Sequence, residues 1–467
     1  MELHSRRTLA LLLFASALAT LWVSNRQGII APDPAREIAI PEQLTVPLQV
    51  RAAHDGNTIH FQYRWPAQRP HVIHDALRFE GGRWVTYGSA VAGSEPHGLH
   101  EDRVAMLIDD GSVPEFARYG GFVTIGNRLD GFSDALSAGQ VEAHPYFGKV
   151  REQDAATKYL PATRSDPADW AAVQPAERLD QLRKAGYFLD LWHWRANRGA
   201  PLGFADDQLV GELRDGDPGR SAWSSNWDGE RKLPKFMFDP ARSGRAALDW
   251  EDVLSGSFAV PPHLHAETML PFDENHPWQE GDTLPRRVLR VPDGSRADIR
   301  ADSAWQDGFW TVTLSRAMDT GRPLEDKQFH DGGSYSVAIA VHRHATGRRW
   351  HYVSLPITLG LGREAQLQAE RFSGATPPWN QPWHELTLFY PGQVNWPLLT
   401  SQAHAGASRI AAGVPVHSYH SADQLAHYGV ELEFADAITR QWRLTLAAGL
   451  LLFLAVGIAL LRGLRAH

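Results

Sequence analysis

The chain contains no cysteine. That absence excludes disulfides, thiolate zinc sites, iron–sulfur clusters and haem attached covalently through Cys-x-x-Cys-His. It leaves open a cofactor held without covalent links by His, Met or Lys. Methionine is scarce too, five in 467 residues, so a Met inside a distinctive motif is informative. There is no long basic run and the net charge is -8, which argues against nucleic acid as a partner. Gly-x-Ser-x-Gly, His-Glu-x-x-His, Gly-x-Gly-x-x-Gly and P-loop motifs are missing, and no pair of carboxylates stands out. No residue is therefore assigned a catalytic role. Internal repeats and low-complexity tracts are also lacking.

What the chain does have is concentrated at its ends and in its aromatics. Arg6 and Arg7 precede an apolar run from Leu9 to Val23, the pattern of a signal peptide or signal anchor. Ala17-Leu18-Ala19 offers a cleavage site, but the run continues through Leu21, Trp22 and Val23, which favours a retained anchor. Leu444 to Leu461 carries no charge and, with its flanks, approaches the ~20 residues needed to cross ~30 Å of hydrocarbon. Arg440 and Arg443 precede it, and Arg462 and Arg465 follow. The positive-inside rule puts the two terminal Arg pairs on the cytoplasmic side and the body in the periplasm. Seventeen Trp fit either a large aromatic core or packing around a cofactor.

Between the ends the chain reads as mainly β. Ile59 to Trp65 alternates apolar and polar residues after the turn His54-Asp55-Gly56-Asn57, and Val104 to Ile108 is a short buried strand. Phe309 to Ser315, Ser334 to His342 and Arg349 to Leu359 are three further β-rich runs. In the second of these Val337, Ile339 and Val341 alternate with Ala338 and Ala340, giving one large-residue face and one small-residue face. The small face leaves room for something bulky to lie against the sheet. Gln174 to Lys184 reads as a helix, as do Ser401 to Ala412 and Ser421 to Tyr428. The expected fold is an antiparallel β-sandwich with long loop insertions and a few helices. Its predicted divisions are a signal peptide or anchor (1–27), a Pro-bearing linker (28–47), a sandwich domain (48–361) with a loop-rich insertion at about 199–300, a loop and helix extension (362–440), and a transmembrane helix (441–463).

Several motifs recur in a fixed order: Glu101-Asp102-Arg103-Val104-Ala105-Met106-Leu107, Asp190-Leu191-Trp192-His193-Trp194-Arg195-Ala196, Gly308-Phe309-Trp310-Thr311-Val312, Tyr335 to Val341, and His351-Tyr352-Val353-Ser354. Together, over roughly Leu44 to Leu361, they resemble the haem-binding domain of the ethylbenzene dehydrogenase γ subunit and the related DMSO-reductase-type and cytochrome c-552-like proteins. The resemblance implies one non-covalent haem b, no substrate chemistry, and a redox partner such as a molybdenum oxidoreductase or a membrane respiratory complex. Some relatives carry cysteines for a second, covalent haem near Gly120–Gly126, where this chain has none.

In the best-known γ subunits the axial pair is Met and Lys. The resemblance puts Met106 at the Met position, with an ordinary core Met as the alternative. It puts His351 at the Lys position, with a structural strand histidine as the alternative. His193, between Trp192 and Trp194, is a further ligand candidate, and His54 another. Arg195 and Arg103 are candidates for pairing with propionates, or for ion pairs within the protein. Outside the resemblance, His404, His417, His420 and His427 cluster, and the His417-x-x-His420 spacing suits a metal if that stretch is helical. A competing reading is an anchored carbohydrate-binding sandwich without haem, in which Trp379 and Trp383 are exposed and stack on sugar rings.

Overall fold

Strict alternation decides which face the strands Thr58–Pro66 and Phe309–Ala317 bury. The computed structural model describes residues 2–26, 45–88, 99, 101–121, 138–153, 158–165, 171–258, 261–342, 351–389 and 435–464. Two compact units result, one from the chain's ends and one from the body between them.

In the end unit, helix α1 spans Glu2–Arg26 and the C-terminal helix Ala435–Leu464 packs beside it. Ala17, Ala448 and Ala455 are buried, as expected where small side chains let two apolar helices approach closely. The stretch Arg440–Ala459 is long and apolar enough to cross a membrane.

The body is built on one thirteen-stranded sheet folded into two facing leaves. Its strands are β1 (Thr45–His54), β2 (Thr58–Pro66), β3 (Arg103–Asp109), β4 (Leu189–Arg195), β5 (Asp206–Val210), β6 (Arg214–Gly216) and β7 (Arg300–Gln306). They continue with β8 (Phe309–Ala317), β9 (Ser334–His342), β10 (His351–Val353), β11 (Ile357–Leu361), β12 (Leu367–Arg371) and β13 (His384–Phe389). The order is β7-β8-β2-β1-β12-β11-β9-β3-β4-β5-β6, while β13 and β10 form a second bridge between β1 and β9. The expected antiparallel sandwich is present. Among the described strands of this sheet, only the pairings of β12 with β1 and β11 are parallel.

The core lies between the leaves. From β2 and β8 come Ile59, Phe61, Tyr63, Trp65, Trp310, Val312 and Leu314; from β3, β4 and β9 come Val104, Met106, Ile108, Trp192, Trp194, Val337, Ile339 and Val341. Burying such side chains stabilises the fold by roughly 1.5–3 kcal/mol each. The expected run Arg349 to Leu359 is two strands, because Ser354-Leu355-Pro356 interrupts it and proline cannot donate to the ladder.

β3 and β4 are buried along their whole length. Their outer face belongs to a second apolar cluster, with Ala105, Leu107, Leu189, Leu191 and Ala338 lying under Val113, Phe116, Leu160 and Leu182. Leu182 comes from helix α2 (Ala176–Lys184), close to its predicted bounds. The region expected as loops between 199 and 300 is more ordered than its Gly and Pro content suggests. β5 and β6 join the main sheet, and Leu248–Asp249 and Asp282–Pro285 build a four-stranded sheet with Ala76–Glu80 and Arg83–Tyr87. Its scattered aromatics form a separate core, where Trp84 meets Trp278 edge-on at 5.0 Å between ring centroids. The expected helices Ser401 to Ala412 and Ser421 to Tyr428 lie outside the described residues.

Candidate functional site

The small-residue face of β9 borders a cleft. Strand register builds its floor: Ala338 pairs with Leu107, which pairs with Leu191, and Ala340 pairs with Ala105, which pairs with His193. Directly opposed residues in an antiparallel sheet share a face, so these six side chains form two rows. Gly121 lies over them, and a Cβ there would come within 3.1 Å of Val353 Cγ1. Val353, Lys158, Arg214 and His342 complete the lining. The cleft opens to solvent; its mouth and interior together hold about 650 Å³ of space between atoms, of which about 80 Å³ is open to a water-sized group.

Its chemistry is apolar underneath and nitrogen-rich at one end. The His193 and His342 rings stack at 5.8 Å between centroids, and both side chains are buried. His193 Nδ1 lies 3.1 Å from Arg195 Nη2 and 2.6 Å from Arg214 Nη2. Burial, followed by the Arg195 and Arg214 charges, holds His193 well below the usual imidazole range. His193 Nε2 is buried and makes no hydrogen bond among the described residues. Burial and Arg214 push the Lys158 ammonium down to about 8. Burial likewise lowers Arg214, to about 10, against the opposing pull of Asp206.

The other sequence candidates lie elsewhere. Met106 faces the inter-leaf core, where Tyr63 Oη donates to its Sδ at 3.2 Å. It is on the opposite face of β3 from Ala105 and Leu107, so the core-Met alternative describes its setting and it is not part of the cleft lining. Trp192 and Trp194 also face the core, packing on Phe61, Trp65 and Trp310; their flanking of His193 is along the chain, not around the cleft. His54 is buried in β1, 3.6 Å from Asp331, and does not line the cleft.

Arg195 and Arg103 are committed to carboxylates inside the protein. Arg195 donates to Asp206 at 3.0 Å and Arg103 to Glu101 at 2.8 Å. His351 pairs through its backbone with His342, but its side chain lies outside the described residues. The cluster of His404, His417, His420 and His427 lies outside them as well. Trp379 and Trp383 are half-buried, not exposed, and lie against the Arg51 guanidinium at 5.0 and 4.1 Å, so Arg51 takes ring surface that a sugar would need.

Lys158, Arg214 and His342 did not emerge from the sequence. Only His342 carried a signal: it continues the parity of Ala338 and Ala340 along β9. A second buried polar group, Asp190, Asp207 and Asp326, surrounds Arg316, whose guanidinium reaches them at 2.6, 3.0 and 3.0 Å. That side chain supplies the positive charge such a triad requires.

No curated protein matches the chain. The sequence model of the family described as Ethylbenzene dehydrogenase matches residues 24–354, more than two thirds of the chain and every strand that frames the cleft floor. The chain belongs to the ethylbenzene dehydrogenase family.

Proposed function

We propose that this protein is a membrane-tethered b-type cytochrome that binds one haem non-covalently in the cleft over Ala105, Ala338 and Ala340. The observation that carries this reading is an apolar cleft floored by the methyl groups of small residues, with His342 and Lys158 as nitrogen donors and Arg214 as a cation in its lining. That set fits a porphyrin: a flat apolar body, an iron in need of one or two ligands, and acidic side chains in need of positive partners. The buried Nε2 of His193, which has no hydrogen-bond partner among the described residues, is a further sign that the cleft accommodates a polar group of something bound.

Haem, when bound, supplies one-electron redox chemistry. The chain's own residues provide the rest. His342 and Lys158 would hold the iron, the alanines admit the ring, and the covering side chains of Val113, Phe116, Leu160 and Leu182 exclude water. The absence of cysteine limits attachment to these non-covalent contacts. Electrons would pass between a redox partner, a molybdenum oxidoreductase or a membrane respiratory complex, and the respiratory chain. Family membership supports a partner of the first kind. The helix Arg440–Ala459 would tether the body, and α1, packed beside it, supports a retained N-terminal anchor. Arg6, Arg7, Arg462 and Arg465 would face the cytoplasm and the body the periplasm.

A pyridine haemochrome assay on detergent-solubilised protein from haem-replete cells tests the proposal. A haem b spectrum near one equivalent is expected. Colourless protein without a Soret band would refute it.

A further inference from the structure

We infer that His193 is a hydrogen-bond donor to the acidic end of the bound group, a haem propionate, and not a ligand to the iron. The inference rests on the haem reading above and assigns roles within the same cleft.

It follows from what surrounds Nδ1. Two guanidinium nitrogens, Arg195 Nη2 and Arg214 Nη2, lie within hydrogen-bond distance of that atom. A guanidinium has five donors and no acceptor, so Nδ1 must offer its lone pair to both. The neutral ring then carries its only proton on Nε2. Arg195 cannot readily turn away, because its Nη1 is tied to Asp206, which Arg296 also holds at 2.6 Å. Arg214 is tied in the same way, its Nε donating to Gln208 at 2.8 Å.

Iron ligation needs a lone pair on Nε2. Moving the proton to Nδ1 would break both arginine contacts and point an N–H at two cations. Nε2–H needs an acceptor instead, and none of the described residues supplies one. His193 is in the cleft wall, with Arg214 and Lys158 in the same lining. A donor on a ring held by the Arg195 and Arg214 guanidinium groups selects an anion, and a carboxylate is the anion haem carries.

The test uses the full-length protein in detergent, loaded with haem or with haem dimethyl ester, whose propionates are capped. Soret and α-band positions report the iron's ligands, and transfer of haem to apomyoglobin reports its release. His193→Ala should keep the wild-type band positions yet release haem about tenfold faster, the loss of one charge-assisted hydrogen bond. His193→Gln, which retains an N–H donor, should recover most of the difference. With the dimethyl ester, wild type and His193→Ala should release alike. A shift of His193→Ala to a five-coordinate or high-spin spectrum would overturn the inference and make His193 an axial ligand. An equal acceleration with the capped haem would also overturn it, since no propionate contact was then lost. Absence of haem from the wild type as well would instead sink the parent reading, and this inference with it.

Discussion

Ala105 and Ala340 sit directly opposite each other on β3 and β9, so two methyl groups meet where most buried strand pairs place larger side chains. The space above them is the cleft. Ala340→Phe should fill it without overpacking the core, because the change faces away from the Trp192–Trp194 layer. Haem content per protein should fall to near zero while the far-UV circular dichroism and melting temperature stay close to wild type. A variant that retained full haem would place the cofactor elsewhere.

Arg316 illustrates the other demand of a two-leaf fold. It is fully buried on β8 with Asp190, Asp207 and Asp326 around it. Removing the guanidinium leaves uncompensated carboxylates out of reach of water. Arg316→Met should cost about 3–5 kcal/mol in urea unfolding of the body. The exposed pair Arg220–Asp293 makes a control, since Arg220→Met should cost less than about 1 kcal/mol.

Asp217 gives a pH signature. Burial, then the Asp190 and Asp326 charges, raise its carboxyl to about 8. The folded protein keeps the proton while the unfolded chain releases it near pH 4, so between about 4 and 8 the unfolded state binds fewer protons. Stability falls with rising pH across that window and levels off above it. Asp217→Asn should remove this slope. The variant should gain at least about 1 kcal/mol over wild type at pH 8 and nothing at pH 4, read from urea titrations at both values.

The two terminal helices can be separated by truncation. Deleting residues 435–464 should reduce but not abolish carbonate-resistant membrane association if α1 is retained as a second anchor. Removing residues 1–26 as well should release the body as a folded soluble domain, detected by its near-UV tryptophan signal. Full release on removing the C-terminal helix alone would mean that α1 does not anchor.

Much of this architecture could be read from residue parity. Ile59-Phe61-Tyr63-Trp65 and Val337-Ile339-Val341 announced their strands and their buried faces, and Ala338 with Ala340 announced the room beside the sheet. The same parity, applied to β3, separates Met106 from Ala105 and Leu107. Applied to β4, it separates Trp192 and Trp194 from His193. Motif resemblance alone did not make that distinction, because a motif runs along the chain while a cleft is bounded by one face. Lys158 and Arg214 gave no periodic signal at all. Lys158 reaches the cleft from a segment outside the strands, and Arg214 from β6, a strand too short to alternate. The Trp-rich stretch after residue 199 looked like loops because its strands are two to five residues long, too short for alternation to register.

β9 changes partners midway, pairing with β11 at Ser334–Val337 and with β10 at Ala340–His342, while β3 runs along its other edge. At the changeover Ser354 closes the gap, its Oγ accepting from Ile339 N–H at 2.9 Å and its own N–H donating to Ile339 O at 2.8 Å. A strand fastened on both sides along its length has no loose end from which to fray. Its amide protons should exchange with deuterium only when the whole body unfolds. A redox centre seated on such a strand would rest on a nearly motionless bed, which keeps the cost of rearranging the protein around each arriving electron small.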